Sequence, residues 1–357
     1  MFLSPKPVPD SYTCGARVKS VTDDEAMSDT DGIVRWGVIS TANIATEKVI
    51  PGLRRAARCE VLGIASRDGH TARTAAERLA IPRHYPTYEA LLADPDIDAV
   101  YIPLPNHLHL QWTLAAARAG KHILCEKPLA LTAADAQRMV DFCADAGVLL
   151  MEAFMYRLHP SWEAARSLVA SGGIGRLVAV DSWFSFFNDD PTNIRNIPEA
   201  GGGAMYDIGC YCVNLSRMLF GGEPTRVIST VRRETPFGVD VVAGGVLEFP
   251  GGLATFGCSI RAEDDQRVQI YGTQGRISIE IPFNIPPDRE TAIQVAAGGE
   301  PPVAPAIERL TFPVADPYGV EAERFAAAVL DGGPVPIPPS DAVANLRVIE
   351  AVLASGV

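Results

Sequence analysis

Long apolar runs are missing from this chain of 357 residues: none approaches the roughly 20 consecutive apolar residues that a membrane-spanning helix needs. Basic residues are also few, since 31 lysines and arginines stand against 43 aspartates and glutamates, which leaves a net charge of -12. Nucleic acids and anionic membrane surfaces are bound through excess positive charge. The sequence therefore argues against both as partners.

Paired cysteines are missing too. The seven cysteines are scattered and no Cys-x-x-Cys motif occurs, so neither a zinc site nor a disulfide framework is predicted; they stand at positions 14, 59, 125, 143, 210, 212 and 258. This favours reduced thiols in a cytoplasmic protein. Residues 1–32 lack the basic start and apolar core of a signal peptide, and we predict a disordered leader there, with Met27 as a hypothetical alternative start.

Apolar segments alternate regularly with helical patterns over residues 33–152. Strands are predicted at 33–39, 61–65, 99–102, 122–125 and 148–151, and helices from about 44 and at 71–79, 88–92, 108–119 and 133–146. Near-continuous apolar strands that alternate with helices are typical of a parallel sheet covered on both faces. We predict an N-terminal α/β domain with the doubly wound sheet of a Rossmann fold.

The rhythm changes over residues 153–357. Strands follow one another at 177–187, 226–232, 241–249, 252–260, 266–271 and 276–281, while helices are predicted at 203–220 and twice near the end. Such segregation indicates an α+β domain with a large, open, mostly antiparallel sheet. Because one face of this sheet needs cover, we expect a homodimer or homotetramer that associates through it.

The turn after the first strand matches a dinucleotide-binding fingerprint in part. Gly37 takes the first glycine position and Ala42 the third, whereas Ile39 replaces the second glycine, which normally lets the backbone approach a pyrophosphate. Ser40, Thr41, Asn43 and the N-terminus of the following helix still offer hydroxyl and N–H groups to an anion. A plain βα turn is the alternative.

The second strand ends at Ser66, Arg67 and Asp68. Enzymes that use NAD place an acidic residue here for the ribose 2′-hydroxyl, whereas a nearby arginine accommodates the 2′-phosphate of NADP. Because Ser66 and Arg67 precede the acidic residue, we predict that NADP(H) is preferred and NAD(H) remains possible.

Pro105, Asn106 and His109 follow the strand at 99–102, at the same edge of the sheet. Asn106 is placed to N-cap the next helix. His109 falls in the first turn of that helix, where it either faces the cofactor or serves as a structural histidine.

Glu126, Lys127 and Pro128 close the strand at 122–125, and a lysine at this end of a strand points into the ligand crevice. Together with the Gly37 turn, the Pro105–His109 segment and the stretches at 152–157 and 201–211, this motif resembles the glucose–fructose oxidoreductase / inositol dehydrogenase (Gfo/Idh/MocA) family. The resemblance runs from residue 33 to the last helix. It is nearest the branch of dihydrodiol dehydrogenases, aldose dehydrogenases and sugar ketoreductases.

The resemblance implies a Rossmann domain followed by an α/β domain whose open sheet is used for oligomerisation. It also implies that Glu126 and Lys127 contact the cofactor, that Lys127 is catalytic, that Asp207 and Tyr211 add catalytic groups, and that the Lys127–Pro128 bond is cis. Residues four apart share one helix face, so Asp207 and Tyr211 can both face Lys127. We expect Lys127 to lower the pKa of Tyr211, which would then act as acid or base.

We further predict that Arg157, Asn193 and Arg195 contact the substrate, which we expect to be a carbohydrate or a diol. The expected activity is that of an NADP-dependent oxidoreductase that transfers a hydride between nicotinamide and a secondary alcohol, hemiacetal or ketone carbon of a sugar-like molecule. Trans-dihydrodiol dehydrogenase activity and reduction of nucleotide-linked sugars are alternatives. A non-catalytic NADP-sensing regulator is the alternative from another class.

Overall fold

The computed structural model describes residues 32–235, 237–297 and 306–355. The predicted leader lies outside these residues except for Gly32. The described residues from Ile33 onwards belong to one unit by their contacts, so the predicted domain boundary between 152 and 153 stays a prediction.

The first sheet is parallel. Its strands are β1 Val34–Ile39, β2 Cys59–Ala65, β3 Arg83–Tyr85, β4 Ala99–Ile102, β5 His122–Glu126 and β6 Leu150–Ala153. They lie in the order β3-β2-β1-β4-β5-β6, which confirms the doubly wound sheet. The strand order reverses between β1 and β4, and ligands of such sheets bind in the crevice at this switch point.

Helices cover this sheet on both faces. A π-helical turn, Ala45–Val49, leads into the first helix; the helices are α1 Ile50–Arg55, α2 Gly69–Leu79, α3 Tyr88–Leu92, α4 His109–Arg118 and α5 Ala133–Asp145. Thr132 caps α5, as the sequence predicted, because its hydroxyl accepts a hydrogen bond from the Asp135 N–H. The N-cap predicted at Asn106 is wrong. Asn106 begins a 3₁₀ turn, Asn106–Leu108, and its side chain bonds elsewhere.

The second sheet is mixed and mostly antiparallel, as predicted. Its strands are β7 Leu177–Phe187, β8 Arg226–Arg233, β9 Asp240–Phe249, β10 Gly252–Ser259, β11 Arg261–Gly272, β12 Gly275–Ile279, β13 Thr291–Ala297 and β14 Ile307–Phe312. They lie in the order β14-β13-β12-β11-β7-β10-β9-β8, with β7 and β10 parallel. The sequence did not predict β3, β13, β14 or the helix α6, Pro160–Ala170.

Three further helices complete the described fold: α7 Cys210–Phe220, α8 Pro317–Asp331 and α9 Pro339–Ser355. Helix α8 returns to the parallel sheet, where Phe325 contacts Trp36 at 5.4 Å between ring centroids. Gly52 allows α1 and α8 to pack closely, because a Cβ at this position would lie 2.8 Å from the Cβ of Tyr318. In the described part of the chain, no helix has the length and apolar character to cross a membrane.

Candidate active site

A cavity of about 950 Å³ lies at the carboxyl ends of β1, β4 and β5 and extends to β7 and β11. Its position is the switch point of the parallel sheet. The residues that line it are Ala42, Asn43, Ile44, Pro103, Leu104, Asn106, Glu126, Lys127, Met155, Phe184, Ser185, Phe186, Phe187, Ile194, Arg195, Asp207, Ile208, Tyr211, Asp264, Asp265, Gln266, Glu280, Ile281, Asn284 and Tyr318.

The first turn begins at Ser40, directly after β1. Ser40 has a φ of +128°, a region that L side chains rarely adopt, and its hydroxyl accepts a hydrogen bond of 3.1 Å from the Ala42 N–H. Ser40 therefore supplies the sharp turn that a first glycine normally gives. Ala45, five residues later, is fully buried, as the third fingerprint position requires for close packing of helix and strand.

Gly37 does not belong to this turn. It lies inside β1, where it pairs with Gly63 and Val100. A Cβ on Gly37 would lie 2.6 Å from Cδ2 of Leu91, so the close packing of α3 explains the glycine. The predicted fingerprint was wrong by three positions: Ser40, Ala42 and Ala45 occupy its places. The fingerprint begins directly after the strand, and the residue directly after β1 is Ser40 rather than Gly37; this spacing could have shown the correct register.

The end of β2 carries the residues that we predicted for the 2′-phosphate. Arg67 is exposed and Ser66 is half-buried. The Asp68 carboxylate caps α2, where it accepts from the N–H groups of His70 at 3.1 Å and Thr71 at 3.2 Å. The Thr71 hydroxyl and these N–H groups lower the pKa of Asp68. This acid is thus engaged by its own helix.

Tyr88 is a residue of this region that sequence reasoning missed. Burial raises the pKa of its phenol, while the neighbouring Arg67 guanidinium and Ser40 hydroxyl oppose the shift. Its ring contacts Trp112 edge-on at 4.8 Å between centroids. Tyr88 therefore lies between the first turn and the end of β2, at the site predicted for the 2′-phosphate.

His109 and Asn106 have structural roles that the sequence left open. His109 is fully buried, with Nδ1 2.9 Å from the Pro128 carbonyl oxygen and Nε2 2.7 Å from that of Leu104. Burial lowers the pKa of its imidazole in spite of these contacts. Neither nitrogen is free for the predicted cofactor contact. Asn106 lines the cavity, and its amide donates to the Gly201 carbonyl at 2.9 Å.

Lys127 lies at the centre of the cavity wall. Its Nζ donates to the backbone oxygen of Asp207 at 2.7 Å and lies 3.4 Å from the Asp207 carboxylate. That carboxylate also accepts from Nε of Arg195 at 2.6 Å. Burial lowers the pKa of Lys127, but Asp207, Cys210 and Glu126 together outweigh burial, so the pKa is raised. Burial likewise opposes ionisation of Asp207, and the two cations nevertheless hold its pKa below the usual value. The Lys127–Pro128 bond is cis, as the resemblance implied.

Tyr211 faces the Lys127 ammonium with its ring rather than with its hydroxyl. Nζ of Lys127 lies 5.0 Å from the ring centroid, while the hydroxyl points to the Met155 sulfur at 3.8 Å. Asp207 lies within a π-helical turn, Met205–Gly209, and Tyr211 lies in the first turn of α7, in place of the regular α-helix expected at 203–220. Burial raises the pKa of Tyr211 well above its ordinary value. The expectation that Lys127 lowers this pKa was wrong.

Glu126 lines the cavity beside Lys127. Its carboxylate accepts from the Tyr101 hydroxyl at 2.5 Å and from the Lys127 N–H at 3.3 Å. Burial raises its pKa, and Lys127 opposes this only in part. Tyr101 is fully buried, so it fixes the carboxylate from beneath the cavity floor.

Two of the three predicted substrate residues do not line the cavity. Arg157 pairs with Asp341, which also binds Arg217 at 3.1 Å, in a buried network beneath the site. Asn193 caps a 3₁₀ turn, where its side chain accepts from the Arg195 N–H at 3.1 Å. Arg195 does line the cavity, and its guanidinium lies 5.6 Å from the centroid of the Phe186 ring.

Two family models match this chain. The model described as an oxidoreductase family with an NAD-binding Rossmann fold matches residues 34–154, and the GFO/IDH/MocA C-terminal domain matches residues 162–278.

Individual proteins also resemble the chain over most of its length. It is 42% identical to the NADP(+)-dependent D-xylose 1-dehydrogenase 2 of Haloferax volcanii, over 90% of this chain and 96% of that protein. It is 36% identical to the trans-1,2-dihydrobenzene-1,2-diol dehydrogenase of Bos taurus, over 68% and 72%. Among crystal structures, KijD10, a 3-ketoreductase from Actinomadura kijaniata in complex with NADP and TDP-benzene, matches with a TM-score of 0.83 and 29% identity, over 91% of this chain and 98% of that one. The chain is thus an oxidoreductase of the Gfo/Idh/MocA family, and its parallel sheet is that family's NAD-binding Rossmann fold.

Proposed function

We propose that this protein is an NADP-dependent oxidoreductase that interconverts a secondary alcohol or hemiacetal of a sugar-like substrate with the corresponding carbonyl compound. The observation that carries the proposal is the position of Lys127. Its ammonium faces the cavity at the switch point of the sheet, and Asp207, with Cys210 and Glu126, favours its charged form in spite of burial. A charged donor in a water-poor site is the group that stabilises negative charge on a reacting oxygen.

The residues at the sheet edge fit a dinucleotide. The Ser40 turn and the helix that follows it present N–H groups to a pyrophosphate, and Arg67, with Asp68 engaged as a helix cap, suits a 2′-phosphate. When bound, the nicotinamide would supply or accept the hydride. Preference for NADP(H) over NAD(H) follows from Arg67, which is exposed and lies beside Tyr88.

Lys127 and Tyr211 divide the remaining chemistry. Lys127 donates a hydrogen bond to the substrate oxygen and stabilises its negative charge. Burial raises the pKa of Tyr211, so its phenol carries a proton that the hydroxyl would give to the substrate oxygen in the reducing direction and take back in the oxidising direction. Asp207 positions Lys127 and Arg195 through its carboxylate and its backbone oxygen.

The test is to incubate the purified protein with NADP and a panel of aldoses and diols, and to follow the absorbance of the reduced nicotinamide. Native mass spectrometry of the same samples shows whether a nucleotide is bound. Reduction of the nucleotide by an aldose supports the proposal. Turnover of dihydrodiols alone would make dihydrodiols the substrate class instead of sugars. Turnover of nucleotide-linked keto sugars alone would likewise make those the substrate class. Nucleotide binding without any turnover would favour a sensor.

We also propose that the chain self-associates through the open face of the eight-stranded sheet. Large apolar side chains are exposed on this sheet, and three of them are Ile228, Leu253 and Tyr271 at 44%, 41% and 41%. Sedimentation velocity should show a dimer or tetramer. Replacing Leu253 with arginine should shift the protein towards the monomer, whereas Ile33→Arg, at an exposed residue before β1 of the parallel sheet, should not.

A further inference from the structure

Where the cavity borders the second sheet, its wall carries side chains of two kinds, apolar and acidic. Phe187, Ile194 and Ile281 line it and are 59%, 45% and 47% exposed, so they offer apolar surface to a ligand. Asp264, Asp265 and Glu280 line the same region and are also exposed. We call these six residues the outer wall.

The charges on the outer wall are all negative. Asp265 is paired with Arg267, which does not line the cavity, and Glu280 accepts a hydrogen bond from the Gln294 amide at 3.2 Å. In the described part of the chain, the basic side chains that line the cavity are Lys127 and Arg195, and both already share the Asp207 carboxylate. No cation is left over to neutralise a substrate phosphate.

Ionised carboxylates accept hydrogen bonds and donate none, so their natural partners are hydroxyl groups. A phosphate group is likewise an acceptor with negative charge, and its approach to the outer wall would bring like charges together without a hydrogen bond. The C–H faces of a sugar ring, in contrast, pack against apolar side chains while its hydroxyls donate to carboxylates. The composition of the wall therefore distinguishes neutral sugars from anionic ones.

We propose that the outer wall selects an uncharged sugar or polyol and disfavours phosphorylated and nucleotide-linked sugars, with Asp264 and Glu280 as the specificity-determining residues. This rests on the proposed function only in taking the cavity as the substrate site. Asp265 contributes less, because Arg267 compensates its charge.

The experiment measures binding, so that it gives an answer whether or not turnover occurs. Calorimetry on the protein saturated with NADPH, which cannot accept a hydride from a sugar, compares the dissociation constants of D-glucose, D-glucose 6-phosphate and a nucleoside diphosphate glucose. We expect the neutral sugar to bind at least about tenfold more tightly than either anion, since like charges held close together penalise binding. Added salt should narrow this gap, because exposed charges are screened.

Asp264→Asn combined with Glu280→Gln should reduce the difference between the neutral and the anionic sugars to about threefold or less, by removing two charges without changing size. Glu308→Gln removes one charge on β14, away from the cavity, and should leave the difference unchanged. Anionic sugars that bind as well as or better than glucose would overturn the inference, as would a double variant with unaltered selectivity. Selective binding of glucose without reduction of NADP by any sugar would instead refute the proposed activity and leave the inference standing.

Discussion

The ammonium of Lys127 contacts Asp207 in two ways, through a hydrogen bond of 2.7 Å to its backbone oxygen and an ion pair of 3.4 Å with its carboxylate. The backbone contact fixes where the ammonium lies, and the carboxylate is the largest of the influences that favour its charged form. Arg195 uses the other carboxylate oxygen, so one buried anion serves two cations that face the cavity. This separation of position and charge can be tested.

Asp207→Asn should keep the backbone contact and remove the charge. Asp207 is the largest of the influences that raise the pKa of Lys127 against burial, so this pKa should fall in the variant. We expect the alkaline limb of the kcat/KM profile to move to lower pH, with kcat reduced by about tenfold or more at neutral pH. Asp189→Asn, on an exposed residue of the preceding loop, should leave the profile in place. An unchanged alkaline limb in Asp207→Asn would mean that another group titrates there.

Tyr211→Phe should lower kcat by about 10²–10⁴-fold, which is the usual contribution of general acid–base catalysis. Among the residues that the structure describes, the hydroxyl has one hydrogen-bond partner, the Met155 sulfur at 3.8 Å, so the fold and the affinity for cofactor should hardly change. Steady-state kinetics together with cofactor titration will show whether kcat alone falls. If turnover stays near normal, the proton comes from elsewhere and Tyr211 is a wall of the cavity.

Arg67→Ala should raise the dissociation constant of NADPH by about 10- to 100-fold, since charge-assisted hydrogen bonds to a phosphate are worth about 1.5–3 kcal/mol. NADH lacks the 2′-phosphate and should bind almost as before. Arg73→Ala, another exposed arginine on α2, is the matched control and should affect neither nucleotide. Equal losses for both nucleotides would place the 2′-phosphate elsewhere.

Much of the architecture follows from apolar periodicity, because buried parallel strands have few alternatives in such a sequence. The strands β4 and β7 and the helix α3 were predicted to within one residue at each end. The missed strands β13 and β14 pair at the edge of the second sheet, and the first residues of β14, from Ile307 to Arg309, are all exposed, so only the second half of the strand alternates as a half-buried strand does.

The site was less predictable, because side-chain partners depend on distant segments. Asn106 looks like a helix cap in sequence, but its side-chain amide donates a hydrogen bond to the carbonyl oxygen of Gly201, 95 residues away. Arg157 follows β6 and comes two residues after Met155, which lines the cavity. It nevertheless pairs with Asp341 of α9 and does not line the cavity itself. The fingerprint register failed for a local reason: a serine, rather than a glycine, adopts the positive φ that marks the turn.

Glu152 predicts a pH dependence of stability. It is 1% exposed; its carboxyl accepts from the Leu129 N–H at 2.7 Å, and burial raises its pKa from 4.5 to about 8. The folded state therefore binds a proton that the unfolded state releases, so this stabilisation is full below about pH 4.5 and is lost as the pH rises towards about 8.

Glu152→Gln cannot ionise, so its stability should decline less than that of the wild type between about pH 5 and about pH 8, by an amount on the order of a few kcal/mol. Thermal unfolding across this range measures the difference. Glu290→Gln, on an exposed residue, should follow the wild type. Parallel curves for Glu152→Gln and the wild type would show that Glu152 is ionised in the folded protein.

Gly37→Ala and Ser40→Gly together test which residue forms the cofactor turn. The new Cβ at position 37 would meet the fully buried Leu91 at 2.6 Å, so we expect a loss of stability of about 1–3 kcal/mol from overpacking. The cofactor affinity of the Gly37→Ala protein that remains folded should be unchanged, since Gly37 lies inside β1.

Ser40→Gly removes a side chain from a strained backbone position and also removes the hydrogen bond from the Ala42 N–H. These two effects oppose each other, so the stability of this variant should stay within about 1 kcal/mol of the wild type. A change in its cofactor affinity would show that Ser40 forms the cofactor turn. Denaturant unfolding and cofactor titration on both variants separate the two roles. A Gly37→Ala protein that is fully stable but binds cofactor poorly would show that Gly37, and not Ser40, forms the cofactor turn.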